Sequence, residues 1–276
     1  MMLVTGATGN VGGELVRALL AAGEEVRALI RAERQGMLPV GAVPVVGDLD
    51  RPETLSAALA GAQGVFLLSG YRDMPGLLAE ARGAGVERVV LLSGSSVEAT
   101  DTANPISRSM IRSEAAVRMS GLPWTILRPR AFMSNTLQWA PQLRAGDVVR
   151  APFAGARQAV VDPLDIGAVA AAGLRTDRHQ GRTYRLTGPG SLLPADRVRV
   201  LAAVLGRQLR FERQPDVEAR EEMSRTMPEE YVEAFFSFYG RGALDEAPVL
   251  PTVEEVTGRP ARTLEQWARA HAGAFG

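Results

Sequence analysis

Near the start of the chain Gly6, Gly9 and Gly12 recur every third residue in Gly6-Ala7-Thr8-Gly9-Asn10-Val11-Gly12. An apolar run ending at Thr5 precedes them, and a stretch with Leu15, Leu19 and Leu20 at helical spacing follows. A glycine loop between a strand and a helix suits a diphosphate. Gly6 permits the tight turn, Gly9 lets the backbone approach phosphate oxygens, and Gly12 lets the helix pack on the sheet. The helix N-terminus adds free amides and a partial positive charge. Gly6, Thr8, Gly9, Asn10, Val11 and Gly12 are therefore the candidate ligands of a dinucleotide.

The second apolar strand ends Ala28-Leu29-Ile30-Arg31, with Arg34 on the same loop. NAD binders place an acidic residue there for the ribose 2'-hydroxyl, whereas arginine suits the 2'-phosphate of NADP. Arg31 favours NADP(H). NAD(H) is the alternative, because Glu33 could reach a ribose hydroxyl. Leu68 and Ser69 after the fourth strand, and Ser93 and Gly94 after the fifth, fall at the carboxyl edge, where ligands bind in open α/β sheets. They are expected beside the nicotinamide ribose.

Composition removes other chemistries. The chain has no cysteine, so disulfides, thiolate catalysis and Cys-ligated metals are excluded. His179 and His271 are far apart and read as surface residues, leaving no expected metal site. All 31 residues of the Lys+Arg count are arginine, which rules out Schiff-base chemistry and a catalytic lysine. The formal net charge is +0, giving no electrostatic reason to expect nucleic acid or anionic membrane as a partner. No secretory signal or bilayer-length apolar run is visible, and a cytoplasmic location is expected.

The first half alternates short apolar runs with amphipathic stretches, the pattern of strand-helix units in a parallel sheet. Strands are expected at 2–5, 25–30, 44–46, 64–69, 88–93 and 124–127, with a later one at 182–186. Asp50-Arg51-Pro52-Glu53 reads as a capped helix start. Beyond about Ala140, prolines and glycines interrupt the pattern, and helices are expected at 165–174, 194–205, 215–226, 228–239 and 264–271. The fold class is α/β, a Rossmann-type doubly wound parallel sheet with a smaller, mainly α-helical C-terminal substrate region. Residues 1–276 read as a single unit. Within it, 1–130 plus part of 155–190 form the dinucleotide-binding core, and 131–155 with 190–276 form the substrate side.

The loop spacing is GxxGxxG, and TGATGNVG resembles the opening of the NmrA-like group of atypical short-chain dehydrogenase/reductase proteins. The resemblance continues through Val45-Val46-Gly47-Asp48-Leu49, Gly121-Leu122-Pro123-Trp124 to Pro129, and Phe132-Met133-Ser134-Asn135. It ends in Thr187-Gly188-Pro189 and Val256-Thr257-Gly258-Arg259-Pro260 with Trp267. It implies adenine contacts from Asp48 and Leu49, although Asp48 could equally be a turn residue.

Typical short-chain dehydrogenases use a YxxxK pair in which lysine lowers the pKa of a tyrosine acid. The segment that aligns is Ile106-Ser107-Arg108-Ser109-Met110, followed by Glu114, with Ile106 at the tyrosine position and Met110 at the lysine position. Neither can move a proton. Ser95 is a weak catalytic candidate and reads better as an orienting group. The catalytic residues are otherwise unassigned. Hydride can still reach an electron-poor acceptor, because the cofactor supplies the chemistry and the protein need only align the reactants.

The expected substrate wall is Phe132, Met133, Asn135, Trp139 and Phe153, suited to a flat ring. Phe235, Phe236, Phe238 and Tyr239 fit core packing better, and Arg130 could narrow the pocket or meet an anionic substrate. The leading expectation is an NADP(H)-dependent oxidoreductase acting on a quinone-like or conjugated aromatic compound. Its rivals are a redox sensor passing the NADP(H) state to a protein partner and a tailoring enzyme of secondary metabolism.

Overall fold

Parallel strands buried on both faces read as nearly continuous apolar runs, and the first half of this chain follows that pattern. In the computed structural model, which describes residues 1–30 and 38–276, the strands are β1 (Met2–Val4), β2 (Val26–Ile30), β3 (Val43–Val46), β4 (Gly64–Leu68), β5 (Arg88–Leu92), β6 (Trp124–Pro129), β7 (Val148–Ala151), β8 (Arg182–Leu186) and β9 (Arg210–Arg213). Seven of them form a sheet in the order β3-β2-β1-β4-β5-β6-β8. Each neighbouring pair is parallel. The order reverses between β1 and β4, and such a switch point opens a crevice at the carboxyl ends of the strands.

Alternate strand residues serve opposite faces. Val4, Ala28, Phe66, Val90 and Leu127 pack with α1 (Asn10–Ala21) and α6 (Pro163–Arg175). Leu3, Leu29, Leu67, Leu91 and Ile126 pack with α2 (Ser56–Leu59), α3 (Met74–Gly83) and α4 (Pro105–Met119). Helices α1 and α6 lie so close that a Cβ at Gly167 would come within 2.8 Å of the Leu15 amide nitrogen. This contact fixes α1, and with it the glycine loop, against the sheet.

A further apolar cluster lies mainly in 131–155 and 190–276, the part expected from sequence to be the substrate side. Met133, Trp139, Leu143, Val149, Val198, Leu201, Trp267 and Phe275 are buried together. They come from a 3-10 segment (Met133–Trp139), α5 (Ala140–Ala145), β7, α7 (Pro194–Leu205), α11 (Leu264–Ala270) and the C-terminal turn. Beside it stand α8 (Asp216–Ser224) and α9 (Glu229–Phe235).

The observed elements differ from the sequence expectation in several places, and α5 and α10 (Thr252–Thr257) were not expected at all. The start at Asp50 is a 3-10 turn over Pro52–Leu55 with Arg51 at the N-cap and no side-chain cap. The Asp48 carboxylate organises that turn instead, accepting from the Asp50 amide at 3.0 Å. Parallel pairing of β7 with β9 was not expected, because these four-residue strands find each other only across the folded substrate side. The expected helix over 228–239 is α9 followed by a π-helical turn, Phe236–Gly240.

Candidate functional site

The glycine loop is a tight cradle. Gly6 has φ +61°, and the Gly9 amide donates to the Gly6 carbonyl at 2.9 Å. A Cβ on Gly12 would lie 2.1 Å from that same carbonyl oxygen, so α1 approaches the loop more closely than any side chain would allow. Helix α1 begins after Gly9 with no side-chain cap and no acidic residue in its first turn. Its first amides therefore remain for an external acceptor. A groove of about 250 Å³ opens there, lined by Ala7, Thr8, Gly9, Asn10, Glu14, Arg17, Asp162, Trp267 and His271 among others.

The carboxylates in this groove are neutralised locally. Glu14 pairs with Arg17 at 2.6 Å, and Asp162 pairs with Arg262 at 2.7 Å while capping α6 through the Leu164 amide. Burial pushes the Asp162 carboxyl up, against the pull of the Leu164 amide and Arg262. Uncapped helix amides, a wall without a Cβ and paired carboxylates together fit the diphosphate of a dinucleotide. Val11 is buried, so its backbone rather than its side chain faces this task. His271, read from sequence as a surface residue, is half-buried and stacks on Trp267 with ring centroids 4.5 Å apart.

The remaining expected cofactor residues are distributed unevenly. Arg31, with Glu33 and Arg34, lies outside the described residues. Leu49 is half-buried against the cluster beneath α3. Leu68 packs on the core next to Gly6. Ser69 donates its hydroxyl to the Leu92 carbonyl at 2.7 Å, and Ser93 donates to Glu114 at 2.8 Å. At Gly94 a Cβ would meet the Met110 sulfur at 3.0 Å. These residues stand at the carboxyl edge, with both serine hydroxyls committed to the scaffold.

Glu114 is the centre of that scaffold. Although only 3% exposed, it accepts from Arg128 Nε and Nη2, at 2.8 and 2.7 Å, and from Arg118 at 3.0 Å. Burial pushes its carboxyl up, but the hydrogen bonds from Arg128 and Ser93 win and hold it below the usual range. The pair ties α4 to the ends of β5 and β6. The neighbouring positions Ile106 and Met110 are spent on packing. Ile106 rests on Ala99, Phe238 and Leu244, and Met110 Sδ accepts from the Ser96 hydroxyl at 3.0 Å.

The larger cavity, about 650 Å³, is walled by the 3-10 segment, the β7 end, α7, α8 and α9. Asn135, Trp139 and Phe153 line it, together with Met223, Met227, Phe235 and Tyr239. Phe132 packs instead against the sheet core, and Met133 is buried inside the substrate-side cluster. The physical reason is the 3-10 segment, whose three-residue turn sends successive side chains to different sides. Phe235 belongs to the wall rather than to the core, whereas Phe236 and Phe238 are buried as expected. Phe153 adopts φ +56°, an unfavourable conformation for a bulky residue, and its ring meets Phe236 at 4.9 Å.

Several polar groups at this cavity were not singled out in the sequence. Glu246, 3% exposed, accepts from Ser95 at 2.6 Å, Gln158 at 2.7 Å and Tyr239 at 3.1 Å. Ser95 thus orients a buried carboxylate. Burial, reinforced by the Glu246 charge, pushes the Tyr239 phenol well above its ordinary range, so Tyr239 keeps its proton and acts as a hydrogen-bond donor. Arg197 also lines the cavity, on the face of α7 that buries Val198 and Leu201. Its spacing with Leu201 was the available signal, because an arginine four residues before a buried leucine shares its helix face. Arg130 is buried near Glu98, at 3.7 Å, away from the cavity wall. Ser134 borders both cavities, and its hydroxyl accepts from Asn10 Nδ2 at 3.1 Å, joining the glycine loop to the substrate side.

Fold and groove define a Rossmann-type nucleotide-binding protein. A family model described as NAD(P)H-binding matches residues 6–174, and the chain belongs to that family. It is 43% identical to the (4-alkanoyl-5-oxo-2,5-dihydrofuran-3-yl)methyl phosphate reductase of Streptomyces griseus, covering 100% of this chain and 99% of that protein. It is 35% identical to the NAD(P)H azoreductase of Xenophilus azovorans, over 100% and 99% respectively. Among solved structures, an NADPH-dependent quinone oxidoreductase of Escherichia coli complexed with NADPH superposes with TM-score 0.81 at 21% identity, covering 99% of this chain and 100% of that one. Among the described residues no helix is long and apolar enough to cross a membrane, and no group of acidic and histidine side chains could hold a metal ion.

Proposed function

We propose that this chain is an NADP(H)-dependent reductase that passes hydride to a quinone-like or otherwise conjugated, electron-poor small molecule, without a Tyr-Lys dyad. The observation that carries this reading is the 650 Å³ cavity, large enough for such a molecule and bordered at Ser134 by the groove at the glycine loop. The loop amides and Thr8 would hold the diphosphate, and Arg31 the 2'-phosphate. When bound, the reduced nicotinamide supplies the hydride. The chain's own contribution is to position the acceptor between Trp139, Phe153 and Phe235, with the Asn135 amide available as a donor, and to exclude water.

Related proteins support the reading by name. The azoreductase acts on a conjugated acceptor, and the Streptomyces reductase acts on an acyl-substituted unsaturated lactone bearing a phosphate ester. Both are electron-poor π-systems. The sensor alternative draws on Ile106 and Met110 alone, whereas the aromatic cavity is a feature that sensing does not require.

Two measurements test this. Incubation of NADPH with a panel of quinones, azo dyes and unsaturated lactones is expected to consume NADPH at 340 nm with at least one acceptor. Quenching of protein fluorescence by NADPH without consumption across the panel would instead leave the sensor. Arg31→Ala is expected to weaken NADPH about tenfold while changing NADH little, as a charge-assisted phosphate contact requires. Unchanged NADPH affinity would return the preference to NAD(H).

A further inference from the structure

Arg197 is a buried cation that makes no salt bridge among the described residues, the Glu246 carboxylate acting on it only at longer range. It is 6% exposed, its Nε has no hydrogen-bond partner, and no ion pair reaches its guanidinium among the described residues. It lies over the Trp139 ring, 4.9 Å from the centroid, and borders the 650 Å³ cavity. The adjacent Glu246 carboxylate is already satisfied by Ser95, Gln158 and Tyr239. The other charged groups of the cavity wall are paired, Arg150 with Glu218 at 2.7 Å and Glu222 with the Gln214 amide at 2.7 Å.

A guanidinium removed from water and left unpartnered is costly, and such groups are retained where an anion completes them. The planar fork matches a phosphate, and the contact with the Trp139 ring keeps the guanidinium at the cavity wall. We propose that the acceptor reduced by this protein carries a phosphate monoester, and that Arg197 receives that phosphate at the wall of the aromatic cavity. This rests on the reductase reading for the word acceptor, and on Arg197 alone for the phosphate. Burial pulls the Arg197 pKa down to about 10, against the pull of the negative Tyr239–Glu246 pair, so it is a cation at neutral pH. A bound phosphate would raise it again.

The test needs no turnover. With the full chain saturated by NADP⁺, which occupies the glycine loop, calorimetry compares 1-naphthyl phosphate, 1-naphthoate and 1-naphthol. The phosphate is expected to bind at least about tenfold more tightly than the neutral alcohol, the factor expected of one charge-assisted hydrogen bond. Arg197→Met should remove that advantage with NADP⁺ affinity intact, and Arg197→Lys should retain part of it. Equal binding of phosphate and alcohol to the unaltered protein would overturn the proposal, even if the variants failed to fold. Binding of 1-naphthoate as tight as the phosphate would overturn the phosphate assignment. Failure of the reductase reading appears separately, as absent NADPH consumption with an intact phosphate preference.

Discussion

Gly12→Ala is expected to abolish dinucleotide binding and to lower the melting temperature, while Gly13→Ala, one residue further on, is expected to fold normally. The contrast follows from space. A Cβ at Gly12 would stand 2.1 Å from the Gly6 carbonyl oxygen, and the obstacle is backbone rather than the end of a flexible side chain. Helix α1 cannot retreat, because Gly167 of α6 is already packed against Leu15 on its other side. Relief must come from moving the loop, and overpacking of this kind costs roughly 1–3 kcal/mol or more. At Gly13 the nearest atom would be 3.6 Å away, so alanine is accommodated and adds helix propensity.

Gly9→Ala separates folding from binding. Its Cβ would meet only the Gly6 carbonyl, at 3.2 Å, so the fold is expected to survive with a small adjustment. The methyl group would occupy the surface that a phosphate must approach. Thermal melts by circular dichroism and NADPH fluorescence titration read the two effects independently. Wild-type affinity in both Gly9→Ala and Gly12→Ala would remove the loop from the cofactor site.

The second large effect is expected at the Glu114–Arg128 pair. Arg128→Met leaves a 3% exposed carboxylate with Ser93 and the more exposed Arg118, and loss of one partner of a buried pair costs about 3–5 kcal/mol. For a chain of this size that corresponds to a fall in Tm on the order of 10 °C. The double variant Arg128→Met with Glu114→Leu should recover much of the loss, because no uncompensated charge remains.

Protonation probes the same pair. The Glu114 carboxyl is held below its ordinary value in the folded protein. Its stabilisation is therefore complete above the unfolded pKa near 4.5 and disappears as pH falls through the lowered folded value. Wild-type Tm should drop steeply below about pH 4.5. In Arg128→Met that acid-induced drop should be shallower. Parallel Tm profiles for the two proteins between pH 3 and 7 would show that the pair does not hold the β5 and β6 ends in place.

The glycine loop was legible because everything it needs is local. The turn at Gly6, the uncapped start of α1 and the contact between Gly12 and Gly6 lie within seven consecutive residues. The parallel sheet was legible for a related reason: strands buried on both faces must be apolar throughout, so 88–93 and 124–127 stand out without knowledge of their partners. The same one-dimensional logic underlies the expectation that Ile106 and Met110 stand at the dyad positions.

The second cavity depended on long-range contacts. Glu246 gathers Ser95 from the end of β5, Gln158 from the segment before α6 and Tyr239 from the turn after α9. Those residues are 151, 88 and 7 positions from it in the chain. No periodicity relates them, because only packing of the substrate side brings them together. Sequence also assigned Phe132 and Met133 to the wall and Phe235 to the core, since an aromatic run does not reveal which ring faces a cavity. The sequence by itself thus determined a nucleotide-binding α/β chain, through short-range spacing and residue type. The tertiary structure alone decided which side chains meet around the 650 Å³ cavity, and it buried Arg197 at that wall with no salt bridge among the described residues.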